Sequence, residues 1–246
     1  MLFFDLDQTL LATHKINREI FEAVRQELNI SMDPEDFRKS LRTILRKNMI
    51  RHFSFVTNQS VGIDPLDYLL LEEDYEGDNL LRFKEDVFKE ASGLFPQVDK
   101  EEFFRAFQGH KMDYTEEMPG MLDLLQRLRE KGYKLGLITN GIVEVQEAKI
   151  QGLGLRDQMD WLYISGDFGF GKPDPRIYQA ILKETKTSPE DAVMVGDNIQ
   201  SDIMGSLAQG IHAIYFSDVP VPYKVNQART CEEVEEKIEK FMESKK

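Results

Sequence analysis

Between Pro119 and Phe216 the sequence switches repeatedly between helical and strand-like patterning, and this alternation restricts the fold more than any other feature. Met121, Leu122, Leu124, Leu125 and Leu128 recur at helical spacing, with Pro119 at a first helical position and Gly132 closing the segment. A strand over 134–138 follows, then a helix over 143–151, a strand over 161–164, a helix over 175–184, a strand over 192–195, a helix over 199–208 and a strand over 213–216. Strands joined through helices of this length run parallel, with right-handed crossovers. Such strands are covered on both faces and so are apolar without alternation, as Leu2, Phe3 and Phe4 also are near the start. The pattern predicts an α/β fold, a Rossmann-like parallel sheet wrapped by helices, with a last helix over 231–242 that is charged on its outer face.

From His14 to about Met112 the texture differs. Ile20, Phe21, Val24 and Leu28 fall at helical spacing, as do Phe37, Leu41, Ile44 and Leu45, and later Leu80, Leu81, Phe83, Val87 and Phe88. Asn58, Gly62 and Pro65 mark a turn within 57–67, and Gly77 marks another within 72–79. This insertion reads as a smaller all-helical domain of about four elements. The expected division is 1–13 and 115–246 for the sheet domain and 14–114 for the helical one. The basic stripe Arg38, Arg42 and Arg46, with Lys39 and Lys47, reads as a solvated helix face, and the aromatics near His52, Phe53 and Phe55 as core.

Charge narrows the partners. Lys and Arg number 31 against 44 Asp and Glu, a net −13, which opposes binding to a phosphate backbone and predicts no nucleic-acid partner. The single cysteine, Cys231, permits no intrachain disulfide and no Cys-rich metal cluster, and fits a reducing cytoplasm. No run of about 18 apolar residues occurs, so neither a signal peptide nor a membrane span is expected.

The chemistry gathers at the ends of the apolar segments. Asp5, Thr139 and Asp197 each stand at or just past the end of a separate strand, and in an open parallel sheet those carboxyl ends share one rim where ligands bind. The Gly-rich loop Gly166 to Gly171 leads to Lys172 at the same rim, and Asp7 and Asp202 follow in the neighbouring turns. Two carboxylates about 4 Å apart at an effective dielectric of about 20 repel by about 4 kcal/mol, so an acidic cluster needs a cation. Against Asp5, Asp7, Asp197 and Asp202, Lys172 offsets one charge; a hard divalent cation would offset two more, and magnesium, which keeps waters and shares phosphate oxygens, suits so few protein ligands. An anionic substrate could then be held by the metal, Lys172, the Thr139 hydroxyl and backbone N–H groups.

In order and local context these residues resemble the motifs of the haloacid dehalogenase-like hydrolase superfamily: Asp5-Leu6-Asp7-Gln8-Thr9 the first, Leu137-Ile138-Thr139-Asn140-Gly141 the second, Lys172-Pro173 the third, and Gly196-Asp197 through Asp202 the fourth. Each match alone is what turns and helix caps commonly contain; the conjunction at successive strand ends carries the resemblance. The helical insertion is similar in position and length to the family's cap, although it carries no matching motif. The resemblance implies that Asp5 is a nucleophile forming an aspartyl-phosphate and that Asp7 serves as acid and then base. It implies magnesium on the Asp5 and Asp197 carboxylates and the Asp7 carbonyl, a phosphoryl group held by Thr139 and Asn140, Lys172 neutralising that group, and Asp202 anchoring Lys172. Gln8 stands where the family often has Gly, Glu or Ser. Since halide displacement needs no acid at the leaving group, Asp7 favours phosphate-ester hydrolysis of a small phosphorylated metabolite, a nucleoside monophosphate or a sugar or sugar-acid phosphate. A sugar phosphomutase and a non-catalytic binding protein of the same fold are the alternatives.

Overall fold

The computed structural model describes residues 1–53, 64–71, 78–110 and 115–245. They form two compact units, one of residues 1–12 and 116–245, the other of residues 13–53, 64–71, 78–110 and 115.

The first unit opens with β1 (Leu2–Phe4), fully buried as its unbroken apolar run requires. The chain then enters the second unit, which contains α1 (Thr13–Glu27), α2 (Pro34–His52), α3 (Pro65–Leu70), α4 (Asp78–Ala91) and α5 (Lys100–His110). Asp33 caps α2 by accepting from the Glu35 and Asp36 N–H groups, and Asp64 caps α3 by accepting from Leu66, each with a proline in the first turn. The apolar stripes read from the sequence meet here. Phe21 of α1 lies edge-on to Phe37 of α2 and Phe107 of α5, while Phe95 stacks on Phe103. Helices α3 and α5 were not among the apolar runs singled out in the sequence, because one is six residues long and the other is built mainly on phenylalanines close together in the chain. The basic stripe is matched by carboxylates, Arg38 by Glu35, Arg42 by Asp64 and Lys47 by Glu90. Phe53 stacks on Tyr68 at 4.1 Å in the core, as expected. Phe55 and most of the two expected turns lie outside the described residues, and Pro65, read as part of the first, opens α3.

Back in the first unit follow α6 (Met121–Glu130), β2 (Leu135–Thr139), α7 (Val143–Gly152), β3 (Trp161–Ile164), α8 (Ser165–Phe168), α9 (Pro175–Thr185), β4 (Val193–Gly196), a π-helical turn (Ile199–Met204), α10 (Gly205–Leu207), β5 (His212–Phe216), β6 (Gln227–Ala228) and α11 (Cys231–Glu243). The strands form one parallel sheet in the order β3-β2-β1-β4-β5-β6, so β1 is central and pairs with β2 on one side and β4 on the other. Phe3, Ile138, Tyr163 and Met194, one from each of four adjacent strands, pack on Ile177, Tyr178 and Ile181 of α9. The α/β parallel architecture is the one the alternation predicted. Pro119 is not a first helical position: Gly120, at φ 77°, is the N-cap of α6. The single helix expected over 199–208 is a π turn followed by α10, and α8 occupies part of the expected Gly-rich loop. Strand β6, only two residues long, carries no periodicity for a sequence reading to detect.

Candidate active site

The central place of β1 decides the geometry. The Asp5 N–H donates to the Val195 carbonyl at 2.9 Å, extending the pairing with β4 by one residue and leaving the Asp5 side chain, 11% exposed, at the strand's carboxyl end. The chain then turns tightly: the Leu6 carbonyl accepts from Thr9, Leu10 and Leu11, and Gln8 adopts φ 60°. Asp7 is carried on this turn.

Lys172 joins the motifs. Its ammonium, 1% exposed, donates to Asp5 Oδ1 and to Asp202 Oδ1, both at 2.7 Å. Asn140, directly after β2, fixes its main chain: Asn140 Nδ2 donates to the Lys172 carbonyl at 2.6 Å and the Lys172 N–H donates to Asn140 Oδ1 at 2.8 Å. Asp202 is fully buried on the π turn, where Asn198 caps the first turn through the Gln200 and Ser201 N–H groups and itself donates its N–H to Asp202 Oδ2 at 2.9 Å. Gly196 is required beside it, since a Cβ there would stand 2.4 Å from Asp202 Oδ2.

Asp5, Asp197 and Asp202 each offer a carboxylate oxygen within 4.8 Å of the others. Burial pushes the Asp5 carboxyl above the ordinary range; Lys172 pulls it down, and Asp202 and Asp7 push it up again. Burial likewise raises Asp197, helped by Asp5 and Asp202. For Lys172, burial works against the charge, but Asp202 and Asp5 overcome it and hold the ammonium above its usual pKa. With three carboxyls against one ammonium the cluster resists full ionisation on its own, and its hard oxygen donors fit a divalent cation such as magnesium, which would let all three ionise. Both Asp202 oxygens already accept hydrogen bonds, which leaves Asp5 and Asp197 as the better-placed ligands.

Thr139, the last residue of β2, is 1% exposed. It and Asp7 meet through a residue the sequence reading passed over, Gln146 of α7, whose Nε2 donates both to Thr139 Oγ1 and, at 3.0 Å, to Asp7 Oδ2. Lys149, one turn on, donates to Asp7 at 3.0 and 3.3 Å, so Lys172 is not the only cation at this rim. The available signal was a glutamine on the inward face of α7, beside Val145 and Ile150, with a lysine three residues later. The sheet unit therefore brings together all the residues predicted: Asp5, Lys172, Asp202 and Asp197 in one cluster, Asn140 behind Lys172, and Asp7 joined to Thr139 through Gln146.

The family described as haloacid dehalogenase-like hydrolase matches residues 2–216. The chain belongs to the haloacid dehalogenase-like hydrolases. Among curated haloacid dehalogenase-like relatives, phosphoserine phosphatase of Thermus thermophilus is 29% identical over 226 residues, 87% of each chain. Glyceraldehyde 3-phosphate phosphatase of Pyrococcus furiosus is 30% identical over 222 residues, 88% of this chain and 80% of that one. Among solved structures, the HAD-hydrolase YfnB of Bacillus subtilis, bound to magnesium, superposes with a TM-score of 0.68 at 20% identity, covering 97% of both chains. The 2-haloacid dehalogenase of Pseudomonas syringae gives 0.62 at 23% identity, covering 98% of both. Fold alone therefore does not separate phosphatases from dehalogenases within the haloacid dehalogenase-like hydrolases; side chains must.

Proposed function

We propose that this protein is a magnesium-dependent phosphatase of small phosphate monoesters, acting through an aspartyl-phosphate on Asp5. The observation that carries the reading is the buried Asp5–Lys172–Asp202 chain with Asp197 beside it, which fixes the Asp5 carboxylate between a lysine and a set of oxygen donors suited to a divalent cation. Asp5 Oδ1 is held by Lys172, so Oδ2 attacks phosphorus as the bond from phosphorus to the ester oxygen breaks, and Asp7 gives its proton to the departing alcohol. Asp7 then takes a proton from water as the water oxygen attacks phosphorus, releasing inorganic phosphate and restoring Asp5. Thr139 Oγ1 accepts from Gln146, which leaves its hydroxyl hydrogen for a phosphoryl oxygen. Lys172 balances charge on the transferring group. With its side chain given to the Lys172 main chain, Asn140 would reach a phosphoryl oxygen through its backbone N–H. Asp5, Asp197 and the Asp7 carbonyl would hold magnesium, which when bound supplies Lewis-acid stabilisation and a template for the phosphate.

Presence of an acid such as Asp7 argues for an alcohol leaving group and against halide displacement. Two relatives are named for phosphoserine and for glyceraldehyde 3-phosphate, both small phosphate monoesters. The inserted helical unit, residues 14–114, is assigned the cap's task of limiting substrates to small molecules. The test is phosphate release from p-nitrophenyl phosphate with magnesium. Asp5→Asn is expected to lower kcat by at least about 10³-fold, and EDTA to abolish turnover reversibly; undiminished turnover by Asp5→Asn would falsify the reading. A panel of about a hundred phosphorylated metabolites identifies the substrate, and isomerised product on adding a sugar bisphosphate would indicate a mutase instead.

A further inference from the structure

Helix α7 contributes no residue to the family motifs, yet it places two side chains on the Asp7 carboxylate. We propose that Gln146 and Lys149 are positioning residues that hold Asp7 at a set distance from Thr139, so that the acid faces the leaving oxygen while the hydroxyl faces the phosphoryl group. The inference rests on the assignment of Asp7 as the acid and base given above.

Gln146 is completely buried, and its one amide nitrogen spans both groups, donating to Asp7 Oδ2 at 3.0 Å and to Thr139 Oγ1. Its Oε1 is buried without a hydrogen-bond partner among the described residues. A glutamine retained only to fill the core would be expected to satisfy both ends of its amide. Turning the amide over would set Oε1 against the Asp7 carboxylate, acceptor facing acceptor. The orientation with an unmet oxygen is therefore the one that the Asp7 and Thr139 contacts demand. Gly141 supports this placement: a Cβ there would lie 2.4 Å from Gln146 Cγ, so the glycine that ends the second motif is the space Gln146 occupies.

Lys149, one turn along α7, contacts both Asp7 oxygens at 3.0 and 3.3 Å, and the two side chains retain 17% and 22% exposure. Two donors from a single rigid helix fix the plane of the carboxylate as well as its location, which is what directional proton delivery needs. Because Gln146 also touches Thr139, a shift of the acid cannot occur without disturbing the group that holds the phosphate.

A residue acting through a general acid has a signature that a merely structural residue lacks: its loss matters most when the leaving group is poor. The experiment measures kcat/KM, which reports the phosphorylation half-reaction, for p-nitrophenyl phosphate, phenyl phosphate and β-glycerol phosphate with Gln146→Met, Lys149→Met, Lys149→Arg and Asp7→Asn, with melting temperatures recorded alongside. Gln146→Met and Lys149→Met are expected to lose on the order of 10²-fold with β-glycerol phosphate but about 3-fold with p-nitrophenyl phosphate, with Lys149→Arg partly restored. Lys149 is partly exposed, so its variants remain informative if Gln146→Met folds poorly. Equal losses across the three esters, or none, in both methionine variants would overturn the inference. If Asp7→Asn steepens the leaving-group dependence and the α7 variants do not, the inference alone fails; if Asp7→Asn lowers all three esters equally, the acid assignment fails with it.

Discussion

Lys172 is surrounded by charge that it cannot neutralise alone, with Asp5 and Asp202 each 2.7 Å from its ammonium and Asp197 close by. Deleting one partner of a buried ionic group leaves the others desolvated and uncompensated, a loss of about 3–5 kcal/mol where such changes are made. Lys172→Met is accordingly expected to lower the free energy of urea unfolding in EDTA by about that amount, beyond its effect on turnover. A change under about 1 kcal/mol would mean that the Lys172 ion pairs contribute little to the stability of the fold. At this scale the sequence was most legible for residues that must stand at strand ends, Asp5, Thr139 and Asp197, because a strand end can be located from an apolar run. It was least legible for Gln146 and Lys149, whose role depends on the angle at which α7 leaves its turn.

Elements show where local signals compete. Helix α9 has matching signals at its start, with Asp174 accepting from the Arg176 N–H and Pro175 in the first turn. Its end is less well suited: Lys186 occupies the left-handed C-cap at φ 52° and ψ 39°, a conformation that places a Cβ under strain. Lys186→Gly is expected to raise stability by about 1 kcal/mol, or about 2–4 °C in melting temperature, and a fall on thermal denaturation would refute it. The segment over 199–208 teaches the opposite lesson. Its composition reads as an ordinary helix, but the Asn198 carbonyl accepts from both Asp202 and Ile203, opening a wider turn that brings Asp202 back beside Gly196 and Lys172. Helix propensity could not anticipate that, since the turn serves a contact with a distant lysine.

At the scale of the whole molecule the chain is acidic, with a net charge of −13, and three of its carboxyls meet in the cluster at the sheet's rim. Asp5 and Asp197, raised by burial and by their acidic neighbours, hold protons in the folded protein that the unfolded chain has released. For carboxylates shifted upward, the stability present below the unfolded pKa is lost as pH rises through the folded one. In EDTA, Asp197→Asn should therefore gain melting temperature over the wild type at about pH 8 and gain less at about pH 5; added magnesium should stabilise the wild type more at the higher pH. Thermal melts at the two pH values decide it, and an Asp197→Asn advantage that grows toward acid would contradict the assignment. By itself the sequence determined the α/β class, the run of parallel strands and the identity of the acidic and basic groups at their ends, because apolar runs and turn residues act over a few neighbouring positions. Only the tertiary structure decided that β1 is central with β2 and β4 on either side, that Asn140 grips the Lys172 main chain, and that α7 supplies donors to Asp7. Those outcomes depend on strand order and on how far a helix rotates about its axis, which are set by packing between parts of the chain far apart in sequence.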